Sequence, residues 1–126
     1  MPVNSSTYDP LNPATFAPPA AVSAAPGIVI EFCDRVSRCV LHRATWTSTE
    51  LFLTFPPPAI ASIALVPLNA VETAGRFRVW LTMAGSVRPV LVWDRKIEGR
   101  FPEMKELKQR VRDRIQPGKS LGHSDR

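Results

Sequence analysis

The sequence predicts an α/β domain in the order β-α-β-β-β-α, a four-stranded mixed sheet with two helices. Three patterns predict it. Two apolar runs, Ile28-Val29-Ile30 and residues 60–68 (IASIALVPL), read as buried strands, the first purely β-branched. Between them Val36, Val40, Ala44, Thr47, Leu51 and Phe55 recur at three- and four-residue spacing, one face of a helix. Strand, helix and strand in that order imply a crossover that leaves the two strands parallel. Further on, Phe77, Val79, Leu81 and Met83 alternate with Arg76, Arg78, Trp80 and Thr82, the period of a half-buried strand.

The elements follow in order. Residues 1–26 are rich in Pro, Ala and Ser, hold six of the thirteen prolines and carry one charge, Asp9. Such a segment cannot bury enough apolar surface to offset its ordering, so a disordered leader is expected there and the folded domain over 27–126. The first strand is entered at Pro26-Gly27 and ends at Phe32-Cys33. Asp34 follows as a candidate N-cap, its carboxylate able to accept from free backbone N–H groups, and Pro56-Pro57-Pro58 ends the helix. Pro67 and Asn69 are expected to stop the second strand. Ala84-Gly85-Ser86 is a hairpin-type turn, and residues 87–93 return as the partner strand with Pro89 marking it as an edge. Asp94-Arg95-Lys96 leaves the sheet, with Trp93 in the core and the charges in water. Gly99 then relaxes the backbone, and Pro102 suits the first position of the second helix. Leu107, Val111 and Ile115 stand four apart on that helix; Lys108 lies off their stripe. Gln116-Pro117-Gly118 ends it.

At 126 residues the chain suits one domain with a hydrophobic core, and two cysteines are too few for a disulfide scaffold. A cytoplasmic thiol protein is expected. The first 30 residues lack Lys and Arg, which removes a secretory n-region and a transit peptide, and no apolar run is long enough for a membrane helix. Net charge is +5, and residues 94–126 hold ten Lys/Arg against six Asp/Glu. The acids there are interleaved with the bases at pairing distances such as Glu106–Arg110, so a solvated helix face is expected rather than a nucleic-acid surface. Two cysteines and two histidines at these spacings make no zinc site, and no bound cofactor is expected. His123-Ser124-Asp125 cannot converge as a triad from adjacent positions, and His42 reads as an exposed helix histidine.

Chemistry concentrates at Cys33, where a strand hands over to a helix. There the helix dipole would favour a thiolate, with a pKa below the usual value of about 8.5. The competing reading is a small buried hydrophobe. Cys39, inside the predicted helix, reads as packing. A helix begun at Asp34 separates the two cysteines by roughly 9 Å along the axis and about 120° around it, outside the reach of a disulfide. With Ser37 as the cap instead, residues 34–37 become a loop that can bring Cys39 back as a resolving thiol. The predicted order, with a cysteine at the first strand–helix junction, is the minimal thioredoxin-like pattern.

Ile30-Glu31-Phe32-Cys33, then Arg43-Ala44, Glu50-Leu51 and Thr54-Phe55, resemble the amino half of the selenoprotein W-like (Rdx) family. Trp93-Asp94-Arg95-Lys96, Gly99, Phe101-Pro102-Glu103, Lys105, Leu107-Lys108-Gln109, Val111-Arg112-Asp113 and the run Pro117-Gly118-Lys119-Ser120-Leu121-Gly122-His123-Ser124-Asp125 resemble its carboxyl half. The resemblance covers about residues 28–125. It implies a thioredoxin-like fold, a cytosolic setting and thiol redox chemistry linked to glutathione or thioredoxin-system thiols, with Cys33 as the redox thiol. The family carries Cys-x-x-Cys or Cys-x-x-selenocysteine at the junction. Here the loop reads Cys33-Asp34-Arg35-Val36-Ser37-Arg38-Cys39, and the partner position falls on Val36 or, counted back from Arg43, on Arg38. The first cysteine carries over and the second does not. A monothiol oxidoreductase resolved by an external thiol is therefore expected, against a redox-inactive thioredoxin-like interaction module.

Overall fold

The computed structural model describes residues 9–15, 17, 24–35 and 39–116, with the backbone alone at Cys39. Its order is β1 (Gly27–Cys33), α1 (Cys39–Thr54), β2 (Ser62–Leu68), β3 (Phe77–Thr82), β4 (Val90–Asp94), α2 (Arg95–Glu98) and α3 (Met104–Ile115). The strands form one mixed sheet in the order β2-β1-β3-β4, with β1 and β2 parallel and both β1–β3 and β3–β4 antiparallel. This is the expected architecture with a short third helix added.

Alternation builds the core. Ile28, Ile30 and Phe32 of β1 and Phe77, Val79 and Leu81 of β3 all point to the same side and are buried. There they meet Val40, Ala44 and Leu51 of α1, Phe55 immediately after it, and Leu107 and Val111 of α3. The stripe spacing on both helices is the cause: residues three and four apart share a face, and these faces are the apolar ones. Thr47 sits in the α1 stripe and is buried without penalty, because its hydroxyl donates to Arg43 O at 2.7 Å.

Several local expectations are corrected. The second strand is Ser62–Leu68 rather than 60–68, and it is half-buried because it lies at the sheet edge with β1 alone as neighbour. Pro67 does not stop it; it sits opposite Phe32, and an edge strand tolerates the missing N–H. β4 begins at Val90, after Pro89, and leaves Val87 95% exposed. The helix α2 was not expected. Its Asp94 N-cap accepts from Lys96 N at 3.1 Å, and Gly99 at φ 80° closes it in the left-handed conformation. Asp94 is accordingly buried and paired with Arg78 at 3.4 Å, not in water. Pro102 is not helical, since Glu103 caps α3 and Met104 is its first residue.

On the outer side of α3 the expected Glu106–Arg110 pair is present at 3.8 Å, inside a larger network. Arg110 also binds Glu98 at 3.0 Å, and Arg100 binds Glu106 at 2.9 Å. The hydrogen bond from Arg110 holds the Glu98 carboxyl below the usual carboxylate range, and the same contact raises the Arg110 guanidinium. Lys108 is not idle off its stripe: it reaches Glu50 at 2.9 Å and ties α3 to α1. Leu107→Ala and Val111→Ala should each destabilise by about 1–4 kcal/mol, because both are fully buried. Exposed Lys105→Ala should leave the melting temperature nearly unchanged. Equal shifts for the three variants would contradict the stripe.

The leader expectation falls largely on residues 1–8, 16 and 18–23, outside the described residues. Within it, Pro13–Thr15 forms a single exposed turn in which Thr15 Oγ1 accepts from Asp9 N at 2.9 Å. Nearer the domain, Ser62 Oγ donates to Ala24 O at 2.7 Å and Ala61 N to Pro26 O at 2.7 Å. The approach is so close that a Cβ on Gly27 would stand 2.9 Å from Ala24 O. Removal of residues 1–23 should therefore shift the melting temperature by no more than a few degrees, whereas starting at Gly27 also loses the two bonds, about 1 kcal/mol each. Loss of cooperative unfolding on removing 1–23 would show that the leader is part of the domain.

Candidate functional site

The parallel pairing of β1 and β2 brings two loops to one end of the sheet, the chain after Cys33 and the chain after Leu68. The backbone stitches them together. Cys33 N donates to Arg76 O at 3.1 Å and Asp34 N to Leu68 O at 3.3 Å. Asn69 Nδ2 donates to Asp34 Oδ1 at 3.1 Å, and Arg35 Nη1 donates to Asn69 O at 3.1 Å. These bonds explain a correction. Asp34 does not start the helix, because its N–H and carboxylate are taken by the neighbouring loop; α1 begins at Cys39.

The consequence for the cysteines is direct. Cys33 is the last residue of β1, 1% exposed and separated from the helix start by residues 34–38. Cys33 is therefore not the residue immediately before the helix, the position on which the dipole argument rests. Cys39 opens α1 instead of lying inside it. The axial separation that kept the two cysteines apart rested on a helix from Asp34, so it no longer applies. Cys33 Sγ has its own neighbours: Thr73 Oγ1 can donate to it at 3.3 Å, and Ala70 O stands 3.9 Å away as acceptor for the thiol proton. Thr73 Oγ1 also stands 3.0 Å from Ala70 O, so one hydroxyl proton serves either the carbonyl or the sulfur. Beside Thr73 lies a small cavity of about 40 Å³, reached by Arg76, Arg78 and Lys96. A larger cavity of about 350 Å³ opens at the far end of β1 around Gly27, Ser62 and Thr82, and no titratable side chain lines it.

Residues 27–113 match the Rdx family. The chain belongs to the Rdx family. A solved structure of the selenoprotein W-related protein from Vibrio cholerae is 42% identical, covers 71% of this chain and 96% of its own, and superposes with a TM-score of 0.56. None of the curated proteins matches the chain. The fold of this Rdx protein is thioredoxin-like, with Cys33 at the end of β1 and Cys39 at the start of α1.

The remaining sequence candidates fall as follows in the Rdx chain. His42 is exposed on α1. His123-Ser124-Asp125 and the run from Pro117 lie outside the described residues, as does the Cys39 side chain. Among the described residues no three His, Cys, Asp or Glu side chains converge as metal ligands, and no helix is long and apolar enough to cross a membrane. Thr73 and Ala70 were not foreseen. Their signal is topological: once two strands are parallel, the loop after the second faces the end of the first.

Proposed function

We propose that this protein carries out thiol–disulfide exchange through the Cys33 sulfur, with glutathione or the thioredoxin system as its thiol partner. The observation that supports it is the position of that sulfur, at the carboxyl end of β1 with a hydroxyl donor 3.3 Å away. The Cys33 thiol gives its proton to solvent, and the thiolate attacks one sulfur of a disulfide. A mixed disulfide forms, and the other half leaves as a thiolate. During attack charge leaves the Cys33 sulfur, and during resolution it returns; Thr73 is placed to donate to it when it does. A second thiol then attacks the mixed disulfide, releases Cys33 reduced and carries away the substrate half. With Val36 and Arg38 at the counted partner positions, the second thiol is external, and Cys39 is the internal alternative now that α1 starts there.

Burial of Cys33 favours a second reading, an interaction module that keeps the fold without the chemistry. A disulfide reaches the sulfur only when the loops over it part. Incubation with glutathione disulfide at neutral pH, followed by mass mapping, separates the readings. A glutathione adduct on Cys33 supports exchange through an external thiol. A loss of about 2 Da without adduct assigns resolution to Cys39. If neither cysteine reacts faster than an unstructured thiol, the interaction module stands.

A further inference from the structure

One edge of the sheet is guarded and the other is open. At β4, Arg110 Nη1 donates to Val92 O at 3.1 Å, Pro89 precedes the strand, and Asp94 ends it in a pair with Arg78. Charges and prolines of this kind oppose edge-to-edge pairing. β2 has Pro67 alone: residues 51–71, from the end of α1 through the whole strand, hold no charged side chain in a chain of net charge +5. Backbone groups are free there. Cys33 N is given to Arg76 O beside β3, so by alternation Ile28, Ile30 and Phe32 turn their backbone groups to β2. In the parallel register Ile28↔Ile63 and Ile30↔Leu65, the residues that bond them are Ser62, Ala64 and Val66, and Leu68 O continues the set by accepting from Asp34 N. The N–H and C=O groups of Ile63 and Leu65 therefore point out of the edge. Above it lies α1, which packs on β1 and β2. One flank of α1 is turned to Phe101 and α3, where Arg43 stacks and Glu50 pairs with Lys108. About half a turn round, on the β2 side, Leu41, Thr45, Ser48 and Phe52 form an uncharged stripe, with Leu41 36% and Phe52 37% exposed.

We propose that β2 pairs antiparallel with β2 of a second copy of this chain, about a two-fold axis at Ala64. That axis sets Ala64 against its own copy, Ile63 against Leu65 and Ser62 against Val66. The two Ile63–Leu65 pairs carry the free backbone groups and exchange both N–H···O bonds; the Ala64 pair is the close one without hydrogen bonds, where a small side chain fits. Sidedness is kept, since Ile63 and Leu65 already pack against the helix-covered core and would meet the same residues of the copy. With α1 over β1 and β2, the two α1 helices stand about two strand spacings apart, roughly 10 Å, a packing distance for helices. There Leu41 of one faces Phe52 of the other. Charge selects a second copy as the occupant: two chains of net charge +5 repel over most of their surfaces and approach where neither presents a charge. The strand is also self-complementary under a two-fold, apolar residue against apolar residue, as an isologous contact requires. Because the paired strands run oppositely, the two Cys33 ends lie at opposite ends of the joined sheet, so the dimer stands independently of the thiol chemistry.

Sedimentation velocity of the full chain tests this. Between about 1 and 500 μM the chain should pass from monomer to dimer, with a dissociation constant on the order of 10 μM, as suits a small interface. Ala64→Lys, which sets two ammonium groups face to face at the axis, should weaken the dimer by at least about tenfold. Phe52→Lys, at an already exposed position, should do the same with the melting temperature of the dilute protein nearly unchanged. Leu53→Lys adds the same charge one residue on, at a position 70% exposed and turned away from the edge, and should leave the dimer intact. Cross-linking reads the register. In a chain carrying Cys33→Ser and Cys39→Ser, Ala64→Cys should give a disulfide-linked dimer on oxidation, because a close antiparallel pair lies within disulfide reach. Val66→Cys, which stands opposite Ser62, should not. A chain that stays monomeric over the whole range overturns the proposal. So does an equal loss of dimer in Leu53→Lys, and so does cross-linking at Val66→Cys as strong as at Ala64→Cys.

Discussion

Cys33→Ser should abolish most of the adduct formed with glutathione disulfide, and Cys39→Ser should not. The first variant should remain folded: a serine hydroxyl in the buried Cys33 position can donate to Ala70 O and accept from Thr73 Oγ1, the partners the thiol has now. Loss of adduct then reports chemistry and not unfolding, which a matching melting temperature would confirm. Cys39→Ser distinguishes the route of resolution. With an external thiol as resolver, the mixed disulfide on Cys33 should build up as in wild type. With Cys39 as resolver, it should accumulate only in the variant, and wild type should show the internal disulfide. Thr73→Val should slow the exchange by about 2–10-fold, the net worth of one hydrogen bond, and Thr73→Ser should restore it. An adduct that persists undiminished in Cys33→Ser would move the chemistry to Cys39 and remove Cys33 from the mechanism.

Trp93→Ala should cost about 3–5 kcal/mol and lower the melting temperature by more than about 10 °C. The indole is 1% exposed and is the largest fully buried side chain. Its Nε1 donates to Arg100 O at 3.1 Å, which fixes the turn between α2 and α3. The guanidinium groups of Arg110 and Arg100 lie 4.4 and 5.1 Å from its ring centre, so removal of the ring also undermines the ion-pair network with Glu98 and Glu106. Trp93→Phe keeps most of the volume, loses the indole bond and should cost distinctly less. Trp46, 56% exposed on α1, is the comparison. If Trp93→Ala and Trp46→Ala melt together within about 2 °C, the core as described is wrong.

The strands and helices were legible in the sequence because burial imposes period. Ile28, Ile30 and Phe32 alternate, and so do Phe77, Val79 and Leu81, while Val40, Ala44, Leu51 and Phe55 keep helical spacing, and every one of them is in the core. The family was legible as well, from residues distributed through residues 28–125. The local chemistry around Cys33 was not. Asp34 has every property of an N-cap, yet its carboxylate accepts from Asn69 Nδ2, and its N–H goes to Leu68, residues more than thirty positions away. A capping preference is worth about 1 kcal/mol and is decided by whichever donors stand closest in space, which the linear sequence does not record. The same holds for Asp94, whose burial depends on Arg78 across the β3–β4 ladder, and for Lys108, whose partner Glu50 lies on another helix. Arg43 and Arg95 are far apart in the chain and share Phe101 because α1 and α2 come to the same end of the sheet. The sequence by itself determined the periods, a mixed sheet with a parallel first pair and the cysteine at the end of the first strand, since each follows from nearest neighbours and from the side a residue must face. The tertiary structure decided where α1 begins, which thiol opens it and what surrounds the Cys33 sulfur, because those depend on hydrogen bonds between loops that only the parallel pairing of β1 and β2 brings together.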